Sequence, residues 1–284
     1  MKIVSTRAEL ERARTEHEGR QVAFVPTMGA LHRGHGQLMA RAHQDGSAAL
    51  YVSIFVNPMQ FGPAEDLDTY PRPIEADLAM CAAHDVDVVF TPTLEQMYAG
   101  GAPTVTVSAG PLGGVLEGGT RPAHFDGVLT VVAKFLHLVR PTAAYFGQKD
   151  AQQLALVRRM VRDLDFAVEI VGVPTVRDDD GLALSTRNTY LDPVQRQQAV
   201  ALSRALAAGR AAGRNGEQAV LEAAGAVLAD APGVHPGYLE LVDADTFGPV
   251  DDQTTYGLLL GQIWVGGTRL IDNVTLDLRV TAER

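Results

Sequence analysis

Apolar residues fall into short unbroken runs at residues 22–25, 50–56, 86–90, 143–146 and 168–173. Runs of that length, bounded by turn-forming positions, predict strands buried on both faces. Between most of them the spacing changes, and apolar positions recur at helical intervals over 35–42, 74–84, 127–139 and 150–164. Alternation of strand and helix implies a parallel sheet with crossover helices, where ligands collect beyond the carboxyl ends of the strands. After about residue 175 the pattern shifts to an Asp- and Arg-rich turn, two Ala-rich helical stretches at 193–213 and 216–230, and short strands near 238–242, 256–263 and 274–280. The expectation is an α/β chain: a Rossmann-like parallel-sheet domain over residues 1–175 and a smaller C-terminal α+β domain over 176–284.

Composition narrows the partners. A chain of 284 residues with a formal charge of −10 lacks the excess of Lys and Arg that a nucleic-acid surface requires, so any anionic ligand must be met locally. Cys81 is the single cysteine, which excludes an internal disulfide and a thiolate metal cluster and fits a reducing cytoplasm. It lies on an apolar helix face and reads as packing. Residues 2–18 are charged rather than apolar, and the longest apolar stretch, 128–139, is broken by Lys134 and His137. Neither an export signal nor a membrane span is expected.

Candidate chemistry sits where the strands end. The first apolar run leads into Pro26-Thr27-Met28-Gly29-Ala30-Leu31-His32-Arg33-Gly34-His35, a glycine-punctuated turn with two histidines where a helix should begin. Free N–H groups and the positive end of the helix dipole suit such a turn to phosphate. It is not a Walker loop, because His35 and Gly36 stand where Lys and Ser/Thr belong. An ordinary tight turn with two solvent-facing histidines fits the same residues. The second run leads into Asn57-Pro58-Met59-Gln60, whose amides can grip a small polar substrate or simply cap the loop. Glu65-Asp66-Leu67-Asp68 and Tyr70-Pro71-Arg72 suggest an exposed acidic flap. Glu117, Arg121, His124 and Asp126 read, taken alone, as a surface salt-bridge net at a helix entry. In the helix that follows, Thr130, Lys134 and His137 make a polar face of the kind that solvent explains. Lys149 stands at a second strand-to-helix junction with Asp150 as its N-cap, and Ser185, Thr186 and Arg187 join hydroxyls to a guanidinium.

Six ordered segments, PTMGALHRGH, SIFVNPMQFGP, DLDTYPR, LEGGTRPAHFDGV, YFGQKDAQQ and PTVRDDDGLALSTRN, together closely resemble the pantoate–β-alanine ligase family. The resemblance implies a two-step ATP reaction, in which pantoate is adenylated with release of pyrophosphate and β-alanine then displaces AMP. It implies that Met28, Gly29, Ala30, Leu31, His32, Arg33, Gly34 and His35 line the nucleotide site. Gly147, Gln148, Lys149, Asp150, Val176, Leu184, Ser185, Thr186 and Arg187 line it too. His32, His35, Lys149 and Arg187 are the implied catalytic donors, with His35 the proton donor; Gln60 and Gln153 hold pantoate, and Gln60 also lies near β-alanine.

ATP acts with Mg²⁺ in this family, and no metal ligand transfers cleanly: Glu75 and Asp77 are the acidic positions after YPR, without a choice between them. A homodimer and a lid-like second domain are further family expectations. The chain departs from the commoner family pattern at Gly36, Ala123 and Thr186, and Gly36 weakens the expected helix start. Three other readings stand beside this one: another adenylate-forming ligase or nucleotidyltransferase on the same fold, a zinc hydrolase using His32 and His35, and a non-catalytic nucleotide sensor.

Overall fold

A computed structural model describes residues 1–63 and 65–279, and the chain divides into two compact units: Met1–Gln148 with Gln152–Pro174, and Lys149–Ala151 with Thr175–Arg284. In the first unit, β1 (Lys2–Val4), β2 (Val22–Thr27), β3 (Ala49–Ile54), β4 (Val88–Phe90), β5 (Ala143–Gly147) and β6 (Glu169–Val173) form one parallel sheet in the order β1-β4-β3-β2-β5-β6. The helices are α1 (Arg7–Glu16), α2 (Arg33–Gln44), α3 (Ile74–Ala83), α4 (Leu94–Met97), α5 (Glu117–Thr120), α6 (His124–Val139) and α7 (Ala151–Asp163), the last beginning on Ala151 of the second unit. This is the expected Rossmann-like α/β arrangement. β2 has β3 on one side and β5 on the other, so the order of the sheet reverses there. The crevice that such a reversal opens lies at the carboxyl ends of β2 and β5.

Burial on both faces explains the unbroken apolar runs. Ala23 and Val25 face a cluster with Leu38, Met39, Val52 and Cys81, while Phe24 points the other way onto Phe135 of α6, with ring centroids 5.7 Å apart. Phe24 is fully buried, worth roughly 2–3 kcal/mol. β1 and α1 were not foreseen, because β1 has three residues of which two are exposed and α1 buries only Leu10 and Ala13. The readable signal was the capping box formed by Thr6 and Glu9.

Gly36 does not weaken α2 as its propensity suggested. The helix starts at Arg33 and runs through Gly36, where a Cβ would stand 2.6 Å from Nε2 of His84. The His84 ring takes the room that a side chain would have used. The polar face expected on α6 is also different: Thr130 is buried and its hydroxyl accepts the Val107 N–H at 3.0 Å, Lys134 lies 5.6 Å from the Tyr98 ring centre, and His137 is exposed against Phe166.

The second unit carries α8 (Pro193–Ala211), α9 (Glu217–Ala229) and an antiparallel sheet of β7 (Val234–Asp243), β8 (Tyr256–Val265) and β9 (Thr268–Asp277). Its core joins Leu202 and Leu206 of α8 to Leu259 and Ile263 of β8. The strands are ten residues long, longer than the apolar windows: β7 and β9 continue through exposed and half-buried positions, while β8, paired on both sides, is buried from Gly257 to Ile263. The last expected strand overlaps β9 only at 274–277, and Val280 lies outside the described residues. No helix among the described residues is long and apolar enough to cross a membrane.

Two outcomes test this packing. A Cβ at Gly127 would come 2.1 Å from the Met59 carbonyl oxygen, so Gly127→Ala should lower stability in a urea titration by about 2–3 kcal/mol. Burial pushes the Cys81 thiol up to about 11, so native protein should leave it unlabelled by a disulfide reagent near pH ~8, with one equivalent reacting after denaturation.

Candidate active site

The turn after β2 is held from three directions. Thr27 donates its hydroxyl to the Ser53 carbonyl at 2.6 Å and accepts the Gly29 N–H at 3.2 Å. Gly29 and Ala30 are both left-handed, with φ of 83° and 49°. In so tight a turn the N–H groups of successive residues converge on one concavity suited to an anion. Asp77 fills it: its Oδ2 accepts the Ala30 N–H at 2.9 Å and its Oδ1 accepts the Leu31 N–H at 2.7 Å.

The chain then enters α2 through a reciprocal cap made by the two histidines. His32 is the N-cap, and its Nδ1 accepts the Gly34 N–H at 3.1 Å while Nδ1 of His35 accepts the His32 N–H at 3.2 Å. Each Nδ1 is therefore an acceptor, and a neutral ring with that assignment carries its proton on Nε2. The rings lie 4.2 Å apart, centre to centre. The network thus gives both residues Nε2–H donors, and protonating either Nδ1 would cost the helix its cap.

The backbone donors expected to meet phosphate are largely engaged within the protein. Ala30 and Leu31 give theirs to Asp77, Gly34 gives its N–H to His32, and the His35 N–H goes to the His32 carbonyl at 2.8 Å. Side chains remain the stronger donors. Arg33 is exposed on the first turn of α2.

A second network aims Gln60. Tyr98, whose hydroxyl burial raises above the ordinary phenol range, donates to Oδ1 of Asn57 at 2.8 Å. Asn57 in turn donates its amide to Oε1 of Gln60 at 3.2 Å. That leaves the Gln60 NH₂ facing Met28, with Nε2 2.9 Å from the sulfur. The Gln60 carbonyl is gripped by Nδ1 of His124 at 2.7 Å and by Arg121 at 3.2 Å. Arg121 also holds Glu65 through two parallel bonds and contacts Nε2 of His124 at 2.8 Å.

Glu117, Arg121 and His124 are buried rather than a surface net: Arg121 and His124 clamp the Gln60 backbone carbonyl, Arg121 also holds Glu65, and Glu117 gives its N–H to Gln152. Asp126 accepts the Ala109 N–H at 2.7 Å instead. Met28 and Asp77 border a cavity of about 410 Å³ whose wall includes Phe55, Pro58 and Arg72. The loop expected to be exposed is partly packed: Tyr70 is buried, and Arg72 donates to the Leu67 and Tyr70 carbonyls at 2.8 and 3.0 Å.

Gln153 is half-buried on α7. Its neighbour Gln152 is buried and donates to the Leu112 and Val115 carbonyls at 2.8 and 2.9 Å while accepting the Glu117 N–H at 3.1 Å. Asp77, Arg121 and Gln152 bond to groups far away in sequence, whereas Asn57 holds Gln60 from within the same turn.

The second unit carries the other expected donors. Gln148–Asp150 is a 3-10 turn running into α7, so Asp150 precedes the helix directly, and its carboxylate lies 3.7 Å from the Lys149 ammonium. The Lys149 carbonyl accepts the Asn273 side-chain N–H at 2.8 Å. Ser185 caps the 3-10 turn Thr186–Tyr190, its hydroxyl oxygen accepting the Arg187 N–H at 3.3 Å, so its own O–H remains a donor. The Leu184 N–H bonds the Val176 carbonyl at 2.9 Å, tying the two ends of the segment together. Arg177 pairs through both guanidinium nitrogens with buried Asp272, and Arg196 holds the Asp180 carboxyl below its ordinary range.

A sequence model of the pantoate-beta-alanine ligase family matches residues 2–275. The pantothenate synthetase of a Nocardioides strain is 54% identical over 97% of this chain and 85% of its own length. That of Acidothermus cellulolyticus is 55% identical over 96% and 91%. Among solved structures, pantothenate synthetase from Thermus thermophilus aligns with a TM-score of 0.90 at 48% identity, covering 96% of this chain and 99% of that one. The Francisella tularensis pantoate-beta-alanine ligase, complexed with beta-gamma ATP and beta-alanine, aligns at 0.80 with 30% identity over 96% and 97%. With its six-stranded parallel sheet and its doubly capped histidine turn, the chain belongs to the pantoate–β-alanine ligase family.

Proposed function

We propose that this chain condenses (R)-pantoate with β-alanine to pantothenate through a pantoyl adenylate, a step that feeds coenzyme A synthesis. In the first half-reaction a pantoate carboxylate oxygen bonds to the α-phosphorus of ATP and the bond to pyrophosphate breaks. In the second, the β-alanine amine attacks the acyl carbon, the bond to AMP breaks and the amine loses a proton. Family membership and the nucleotide and β-alanine named for the Francisella relative support this substrate set. The observation that carries the chemistry is the reciprocal cap of His32 and His35.

Adenylation places extra negative charge on the oxygens around the α-phosphorus, and donors already in position lower that barrier most. His32 and His35 meet it with Nε2–H groups whose tautomer the helix cap sets, so His35 acts as a hydrogen-bond donor to phosphate oxygen. Lys149 and Arg187 supply cationic donors, and Ser185 and Thr186 add hydroxyls. The rest of the nucleotide site is lined by residues 28–31, Arg33, Gly34, Gly147, Gln148, Asp150, Val176 and Leu184. Gln60 donates its fixed NH₂ to pantoate and then to β-alanine, and Gln153 completes the pantoate grip.

Residues 1–175 act as the catalytic domain and residues 176–284 as a lid that keeps water from the labile adenylate. Mg²⁺ enters as part of the nucleotide substrate, held by phosphate oxygens and water. The enzyme works in the reducing cytoplasm as a homodimer.

Radiolabelled pyrophosphate should exchange into ATP only when pantoate is present, and ¹⁸O from the pantoate carboxylate should appear in AMP. Exchange driven by a different carboxylate, or none with pantoate, would refute the assignment. His35→Ala and Lys149→Ala should each reduce adenylation by roughly a hundredfold to a thousandfold.

A further inference from the structure

Asp77 is the most confined carboxylate of the first unit, 2% exposed in the first turn of α3, and its whole polar end is spent on the turn after β2. Successive N–H groups converging in a turn suit an anion, and here the acceptor comes from the chain itself. Ala30 holds a positive φ without being glycine, a strained conformation that persists only where surroundings over-determine it. The two bonds from Asp77 are such a determinant. At Gly29 a Cβ would stand 2.8 Å from Asp77 Oδ2, so the approach admits no side chain there. Two residues past Ala30 the chain reaches His32, whose N–H and Nδ1 form half of the cap at α2.

From this geometry we infer that Asp77 is a positioning residue for adenylation: its buried carboxylate takes the phosphate's place in the turn and fixes the histidine donors before ATP arrives. The inference rests on the ligase reading for its activity readout and not for its structural one. ATP then competes with no backbone N–H at residues 30 and 31 and is met by the imidazoles. Asp77→Asn is the informative change, because it preserves volume while turning one carboxylate oxygen into an NH₂ that faces an N–H.

The test has two arms. In ligand-free protein, the Ala30 and Leu31 amides should be protected from hydrogen exchange in the wild type and should exchange at least about tenfold faster in Asp77→Asn. In pantoate-dependent pyrophosphate exchange, kcat should fall by roughly tenfold to a hundredfold, the scale for a slightly misplaced catalytic group, while the Mg²⁺ concentration at half-saturation stays unchanged. Ala30→Gly in the same background should recover part of kcat, since glycine adopts the left-handed turn without the carboxylate's help.

Wild-type amides that exchange freely would overturn the inference, and that measurement stands even if the variant does not fold. Unchanged kcat in a folded Asp77→Asn protein would overturn it too. A several-fold rise in the Mg²⁺ requirement with amide protection intact would make Asp77 a metal ligand instead. Wild-type protein with no pantoate-dependent exchange would defeat the ligase reading while leaving the amide result standing.

Discussion

A chain that leaves a buried strand and reverses into a helix within a few residues exposes backbone donors faster than it can pair them. The turn from Thr27 to His35 solves this with side chains: Thr27 serves Gly29, Asp77 serves Ala30 and Leu31, and the two histidines serve each other and Gly34. The same bonds that satisfy the turn dictate its chemistry. Because each Nδ1 is an acceptor for the backbone, each Nε2–H is turned into a donor for whatever binds. Structure and reactivity are here one constraint, because the bonds that cap the helix also orient both rings.

The remaining parts of the first unit are arranged to present small polar groups with fixed orientation. Gln60 is not free to flip its amide, since Asn57 donates to its oxygen and Tyr98 fixes Asn57. Its backbone carbonyl is pinned by Arg121 and His124, and the same Arg121 pairs with Glu65. Gly127 makes this possible, because only a residue without a side chain lets α6 press against the Met59 carbonyl. In the second unit Asn273 plays the comparable part for Lys149, and the Arg177–Asp272 pair braces the strand that carries Asn273. Specific hydrogen bonds to backbone carbonyls recur in both units as the means of placing a reactive side chain.

Much was legible in the chain because its signals are local. Unbroken apolar runs mark strands buried on two faces, so the parallel sheet and its alternating helices followed from periodicity, and family membership followed from six ordered segments. Histidines three apart at a strand-to-helix turn were visible for the same reason. Elements with little apolar content were not: β1 and α1 escaped because their stability comes from one or two buried residues and a cap rather than a face. β7 and β9 were underestimated because many of their positions are exposed or only half-buried and carry no apolar signal.

What the sequence determined by itself is the order of elements and the inventory of reactive groups, since both depend on neighbours within a turn or two. Only tertiary structure decided how those groups are used. Glu75 and Asp77 could not be told apart in the sequence, and only folding brought Asp77 against a turn 46 residues away; Arg121 and His124 read as surface charges until burial placed them on the Gln60 backbone carbonyl. Gly36 read as a weak helix start until His84 filled the space above it. Partners so distant along the chain leave no periodicity or spacing behind. Their pairing follows from the packing of one element on another, which no local pattern encodes.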